Sequence, residues 1–167
     1  MKLLLSLFCF ATAFLLAACN TEPIKGPSAK MHCPEPLSIK AYTAAELAPF
    51  QSNIEASDEV LSTLFRMSRS ALVNADCFKS VNGLRRYPAY DASTEKILLI
   101  TPVLTQLDNE EGHSSLKVCY YFKDKASLTS VGTLELTAEG GEAGMSAAFQ
   151  RLILAFQDNV RLSVLGF

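Results

Sequence analysis

Five cysteines and two histidines carry most of the chemistry this chain could perform. Cys9, Cys19, Cys33, Cys77 and Cys119 could serve as nucleophiles, metal ligands or disulfide partners, because all three roles draw on the thiolate or its oxidised product. No two of them are spaced C-x-x-C, so neither a zinc ribbon nor a thioredoxin-like redox pair is suggested. His113 follows Glu110, Glu111 and Gly112, and a carboxylate–histidine cluster of this kind could hold a metal or move a proton. Between two strand-like runs the same residues read as a solvated hairpin turn, and we assign no metal and no catalytic residue there. His32, beside Cys33, lies in a proline-rich stretch and receives no role either. The serines form neither G-x-S-x-G nor S-x-x-K, so a nucleophilic hydrolase lacks its usual marks. Gly140-Gly141-Glu142-Ala143-Gly144 departs from both glycine patterns that cradle phosphates and reads as the entry loop of a helix.

Cys19 stands apart because of what precedes it. Met1 and Lys2 make a short basic start, residues 3–16 (LLLSLFCFATAFLL) are almost wholly apolar, and Ala17 and Ala18 are small. This is the layout of a secretory signal. Leu3 to Ala18 is sixteen residues, short of the roughly 17–25 that a membrane-spanning helix needs. Leu16-Ala17-Ala18-Cys19 resembles the bacterial lipobox. The resemblance implies cleavage before Cys19, a diacylglyceryl group on its thiol and acylation of the new amine. Each buried CH₂ of such chains is worth roughly 0.8 kcal/mol, so two or three chains anchor a protein stably. No cofactor is expected beyond this covalent lipid. Asn20 follows where lipoproteins retained in the inner membrane often carry Asp, which by resemblance implies the outer membrane, facing the periplasm.

Removing residues 1–18 from the 167-residue chain leaves 149, enough for one domain with a workable core. The removed stretch holds a single charge, Lys2, so 15 Lys+Arg fall to 14 against 17 Asp+Glu, a formal −3. That balance argues against a nucleic-acid partner, which needs a basic face. With Cys9 removed and Cys19 acylated, Cys33, Cys77 and Cys119 remain for oxidation outside the cytoplasm.

Residues 19–36, with four prolines, read as a lipidated tether, flexible up to about Met31, and 37–167 as a single domain. Leu37 to Tyr42 alternates as a short strand, and Thr43-Ala44-Ala45-Glu46 looks like a capping box opening one helical turn that Pro49 ends. Ser57 is an N-cap; behind it Val60, Leu61, Leu64, Phe65, Ser68, Ala71, Leu72 and Ala75 form one helical stripe, with Arg66, Arg69 and Asn74 off it. Cys77–Val81 reads as a strand before an Asn82-Gly83 turn. Strands over 97–107, 115–123 and 128–137 then form a meander, in which Leu116, Val118, Tyr120 and Phe122 face the core. Pro102 implies a bulge or an edge. A last helix runs over 142–159 with Met145, Ala148, Phe149, Leu152, Ile153, Phe156 and Val160 on one stripe. The fold class is therefore α+β, in the order β-α-β-β-β-β-α: one mostly antiparallel sheet packed by two amphipathic helices. A right-handed crossover makes strands 37–42 and 77–81 parallel, with their starting ends adjacent. This places Cys33 near Cys77 and predicts a Cys33–Cys77 disulfide; Cys77–Cys119 is the alternative pairing.

The run Ala71 to Val81, leading from a helix into Cys77-Phe78-Lys79-Ser80-Val81, and the late helix around Ala147-Ala148-Phe149 resemble periplasmic lipoproteins of the transport-auxiliary and curli-assembly kind. The resemblance implies a non-catalytic accessory or assembly component of an envelope transport or secretion complex, bound to the membrane by its lipid and to an envelope protein partner. The oligomeric state is left open. Candidate contact residues are Arg85, Arg86, Tyr87 and Tyr90, since guanidinium and tyrosine are favoured at interfaces, together with outward-facing Lys117, Tyr121 and Lys123. A different class of function is a small-ligand or lipid carrier, with an acyl chain held among Phe65, Phe122 and Phe149.

Overall fold

The computed structural model describes residues 27–32, 39–85, 95–110 and 113–165; Cys19, Cys33, Arg86, Tyr87, Tyr90 and Glu111 lie outside them. Helix α1 (Asp58–Asn74) begins where the sequence places it. Ser57 is extended and its hydroxyl accepts from the Val60 amide at 3.3 Å, while Asp58 and Glu59 set negative charge at the positive end of the dipole. Leu64, Ser68, Ala71 and Leu72 are buried along one stripe. The Ala75 amide closes the last turn on the Ala71 carbonyl at 2.8 Å, and Asp76 turns into the left-handed region at φ 58°, which ends the helix.

Among the described residues eight strands form one mixed sheet, in the order β1-β8-β7-β6-β2-β4-β5, with β3 also on β6. Strands β6 (Ile97–Glu110), β7 (His113–Asp124) and β8 (Ser130–Glu139) are the expected antiparallel meander. On the open side of β6 lie β2 (Ala44–Leu47) and β3 (Gln51–Ser52), both parallel to it, and β2 in turn pairs in parallel with β4 (Ser80–Val81). Strand β5 (Leu84–Arg85) returns antiparallel to β4. Strand β1 (Ser28–His32) covers the β8 edge, Ala29 opposite Leu136 and Met31 opposite Leu134. Helix α2 (Gly144–Leu165) packs with α1 over the core face of the sheet.

Four expectations need correction. The fold is α+β and its long ladders are antiparallel as expected, but three short parallel ladders make the sheet mixed, and the described elements follow in the order β-β-β-α-β-β-β-β-β-α. Residues 28–32, read as tether, form β1. The strand expected over 37–42 is not seen in its described part: Ile39–Ala41 is a 3₁₀ turn closed by the Tyr42 amide on the Ile39 carbonyl. Ile39 and Tyr42, three apart, are both buried, and that spacing suits three residues per turn. Of the capping-box residues 43–46, Ala44 to Glu46 are strand instead, because ladders to β4 and β6 satisfy the backbone of Ala44 and Ala45 on both sides, which a single isolated turn cannot match.

Pro102 is buried inside β6, where both parts of its expectation meet. The Ile100 carbonyl accepts from Ala48 and the Leu104 carbonyl from Asn53, so Pro102 shares their side of the strand. It falls between β2, which ends opposite Ile100, and β3, which starts opposite Val103. Its missing N–H therefore costs no ladder bond. A bulge follows between Leu104 and Gln106, with the Thr105 hydroxyl donating to the Lys117 carbonyl at 3.2 Å. The glycine loop also has a packing reason. A Cβ on Gly140 would lie 1.9 Å from the Gly144 carbonyl oxygen, so this position admits only glycine.

Asn82 and Gly83 have φ of 48° and 75°, the type I′ geometry of a two-residue hairpin. The Asn82 amide does more: its Oδ1 accepts from the Leu47 N–H at 2.9 Å and its Nδ2 donates to the Leu47 carbonyl at 3.0 Å, continuing the ladder of β2. Asn82→Ala removes both bonds and leaves alanine in the left-handed region, and should cost about 3 kcal/mol of stability. Asn82→Gly keeps the backbone and should cost about half of that. Denaturant midpoints of the two variants check this; equal losses would show that the left-handed backbone contributes nothing.

Candidate functional site

Both helices cover the same sheet face, and among the described residues no helix covers the opposite one. There Lys117 and Glu135, across β7 and β8, form an ion pair at 3.0 Å. The Cys119 thiol lies 3.7 Å from the Glu135 carboxylate. Tyr121 is 40% exposed and Lys123 is exposed beside it. The three β7 residues proposed for partner contact thus share one face, with Cys119 and Glu135 among them. Arg85 stands opposite Ser80 at the far edge of the sheet, separated from β7 by β6, β2 and β4. Below this face the Tyr42 phenol is held by Asp124, with Lys96 Nζ 4.7 Å from the ring centre, and Lys125 pairs with Glu46. This cluster ties the β7–β8 turn to the first residues of β2.

Among the described residues there is no disulfide: Cys77 and Cys119 are free thiols. Cys33 lies outside them, and the strand that runs parallel to β4 is β2 (Ala44–Leu47), further along the chain than the 37–42 of the expectation. The alternative Cys77–Cys119 pair is not formed. Burial pushes the Cys77 thiol above its usual range, with nearby Arg161 opposing. Burial raises the Cys119 thiol too, and the Glu135 carboxylate adds to it. Both are therefore protonated at neutral pH, the opposite of a nucleophile's poise.

His113 opens β7 directly opposite Glu110. Asp108, two residues before, accepts from Gln106 and from Ser115, and these bonds hold its carboxyl below the ordinary range. Among the described residues no three His, Cys, Asp or Glu stand close enough to hold a metal ion. Phe122, named for a carrier cavity, is buried in the core, and Phe65 and Phe149 pack against it.

A second surface was not singled out from the sequence. Along α1 the ridge Arg66, Ser70, Asn74 is exposed. It is flanked by two grooves. One, of about 400 Å³, runs between α1 and α2 and is walled by Leu154. The other, of about 450 Å³, lies toward β5 and is walled by Leu84. Arg66 and Arg69 are the charged residues in the two linings. Leu154 and Leu84 are 60% and 57% exposed. The signal was available: Arg66 and Arg69 fall off the α1 stripe, and Leu154 is an apolar residue off the α2 stripe.

No family model and no curated protein matches the chain. Solved structures share its fold. A PelC dodecamer from Paraburkholderia phytofirmans aligns with TM-score 0.58 at 13% identity, covering 83% of this chain and 96% of that one. A hypothetical protein from Chlamydia trachomatis aligns at 0.55 and 9% identity, covering 74% and 99%. A Xanthomonas campestris protein of the DUF330 family aligns at 0.51 and 11% identity, covering 86% and 96%. At these identities the likeness is one of fold.

The two thiols supply a test of the local electrostatics. In the native protein Cys77 and Cys119 should alkylate slowly at neutral pH and faster only as pH rises above the usual thiol range, because a raised pKa delays the thiolate. Glu135→Gln removes the carboxylate beside Cys119 and should speed labelling of that cysteine at a fixed pH while leaving Cys77 unchanged. Peptide mass spectrometry after iodoacetamide pulses reads both sites. Labelling at neutral pH as fast as a free cysteine would refute the assignment.

Proposed function

We propose that this chain is a lipid-anchored protein of the bacterial cell envelope, held through Cys19 on the periplasmic side of the outer membrane, that works by binding other envelope components and not by catalysis. The observation that carries the reading is Leu16-Ala17-Ala18-Cys19 at the end of a basic start and an apolar run too short to span a bilayer. The disposition of side chains supports the second half. The two described thiols are protonated, buried Ser68 is bonded to Tyr120, and Ser114 and Ser115 are bonded to Asn109 and Asp108. Polar groups thus serve the fold, while the exposed residues are spread over two surfaces. That PelC, which shares this fold, is a dodecamer supports a chain able to assemble. The carrier reading is weakened by the space it needs: Tyr120 and Phe156, both fully buried, stack between sheet and helices at 4.1 Å.

The test is crosslinking and affinity capture from membranes, comparing wild type with Cys19→Ala. Wild type should sediment with membranes and require detergent for release, Cys19→Ala should appear in the soluble periplasmic fraction, and specific envelope proteins should be captured with the lipidated form. Retention of Cys19→Ala on membranes would remove the anchor. Capture of phospholipid or a small molecule with no protein would put the carrier reading in its place.

A further inference from the structure

Strand β6 opens with Ile97-Leu98-Leu99-Ile100, apolar on both faces, which is the composition of a strand covered on both sides. Leu98, Ile100 and Leu104 belong to the core under the helices. The alternate residues point the other way: the register sets Leu99, Thr101 and Val103 opposite Lys123, Tyr121 and Cys119, on the face that no helix covers among the described residues. Val103 is only 7% exposed there, although it stands apart from the core cluster.

This face is laid out as a contact surface. Leu99, Val103 and Cys119 make a centre of low polarity, and Tyr121 stands among them with 40% of its surface exposed. Polar groups ring that centre: Glu46 lies beside Leu99 on β2, Gln51 beside Val103 on β3, Lys123 near the end of β7, and the Lys117–Glu135 pair toward β8. An apolar centre that holds a tyrosine, inside a rim of charges and amides, is how specific protein contacts are built.

We propose that a second copy of this chain covers it: two sheets pack face to face about a two-fold axis that runs along β6. The placement of charge selects this occupant. Glu46 and Lys123 flank Leu99 in one row, on opposite sides of β6. A half-turn about β6 exchanges the two sides, so Glu46 of each copy meets Lys123 of the other, while Leu99 and Val103 meet their own counterparts near the axis. Glu46 also touches Lys125, but that pair is exposed and weak, and the carboxylate can serve both lysines. The size is sufficient as well. Strands β2 with β3, β6, β7 and β8, about 4.8 Å apart over roughly ten residues, present roughly 600 Å² per copy and about 1,200 Å² in all, the lower end of specific interfaces. Because one patch serves both copies, association stops at the dimer. The inference rests on the binding reading and names a partner for it, and it does not depend on the lipid at Cys19.

The test uses the full-length protein in detergent, sized by native mass spectrometry over a concentration series. Wild type and Cys19→Ala should both form a dimer. Tyr121→Ala should weaken it about tenfold or more. Lys123→Glu and Glu46→Lys should each weaken it, since like charges then face each other, and the double variant should restore it. With p-benzoylphenylalanine in place of Tyr121, ultraviolet light should join two chains, whereas the same probe in place of Leu154 on the helix side should not. Unchanged far-ultraviolet circular dichroism and denaturation midpoints establish that the variants fold. A monomer at every concentration, an oligomer indifferent to these changes, or failure of the double charge swap to restore the dimer would overturn the proposal. So would a probe at position 121 that attaches to its own chain, and so would a dimer lost in Cys19→Ala but kept in Tyr121→Ala. If that probe captures a different envelope protein from membranes while the chain stays monomeric, this inference falls and the binding reading stands. A dimer through the sheet face, with no other protein captured from membranes, has the converse meaning.

Discussion

The phenol of Tyr120 is the point on which the layers of this protein meet. It sits mid-strand in β7, fully buried, with its hydroxyl 3.2 Å from the Ser68 hydroxyl of α1. Its ring stacks on Phe156 of α2 at 4.1 Å and meets Phe50, between β2 and β3, edge-on at 6.2 Å. Burial pushes the phenol well above its ordinary pKa, so it stays neutral throughout the physiological range. A buried hydroxyl without a partner costs about 1–3 kcal/mol, so Tyr120 and Ser68 each require the other. That requirement fixes the rotation of α1 about its axis. A helix turned by one residue would bury a different side chain against Tyr120 and leave both hydroxyls unpaired.

The rest of the sheet follows from β6 having two different neighbours. Toward β7 it makes a long antiparallel ladder, while toward β2 and β3 it is paired in parallel by two short pieces joined through Ala48-Pro49-Phe50. The break lets Phe50 drop into the core against Tyr120, and it places Pro102 where no donor is wanted. One proline and one aromatic thus explain why the parallel partner is in two segments. The price of that arrangement is a short edge, and Asn82 offsets it by extending the β2 ladder with its own amide.

Elements whose signal is local were legible in the sequence. Helix α1 announced itself by Ser57, two acids and a clean stripe; the meander by strict alternation in β7; the hairpin by Asn82-Gly83. What was not legible depends on long-range partners. Ala44, Ala45 and Glu46 are strong helix formers and weak strand formers, and only the ladders on either side decide for strand. Residues 28–32 alternate too faintly to stand out, and become a strand because β8 offers an unpaired edge. The same limit applied to the surface. Lys117, Tyr121 and Lys123 were placed together correctly because they share one strand, whereas the clefts beside Arg66 need α1, α2 and β5 to be set side by side.

The one-sided layering decides where binding surfaces can arise. With α1 and α2 both on the core face, the buried layer is satisfied by Tyr120, Phe156 and their neighbours, and evolution is left with exteriors of different chemistry. The outer sheet face is a mixed surface on which Lys117 is paired with Glu135 and Lys123 is exposed. The exposed ridge of α1 carries Arg66, with Leu154 and Leu84 exposed on either side of it. Paired charges gain little from a new contact, because desolvating them forfeits what they already have.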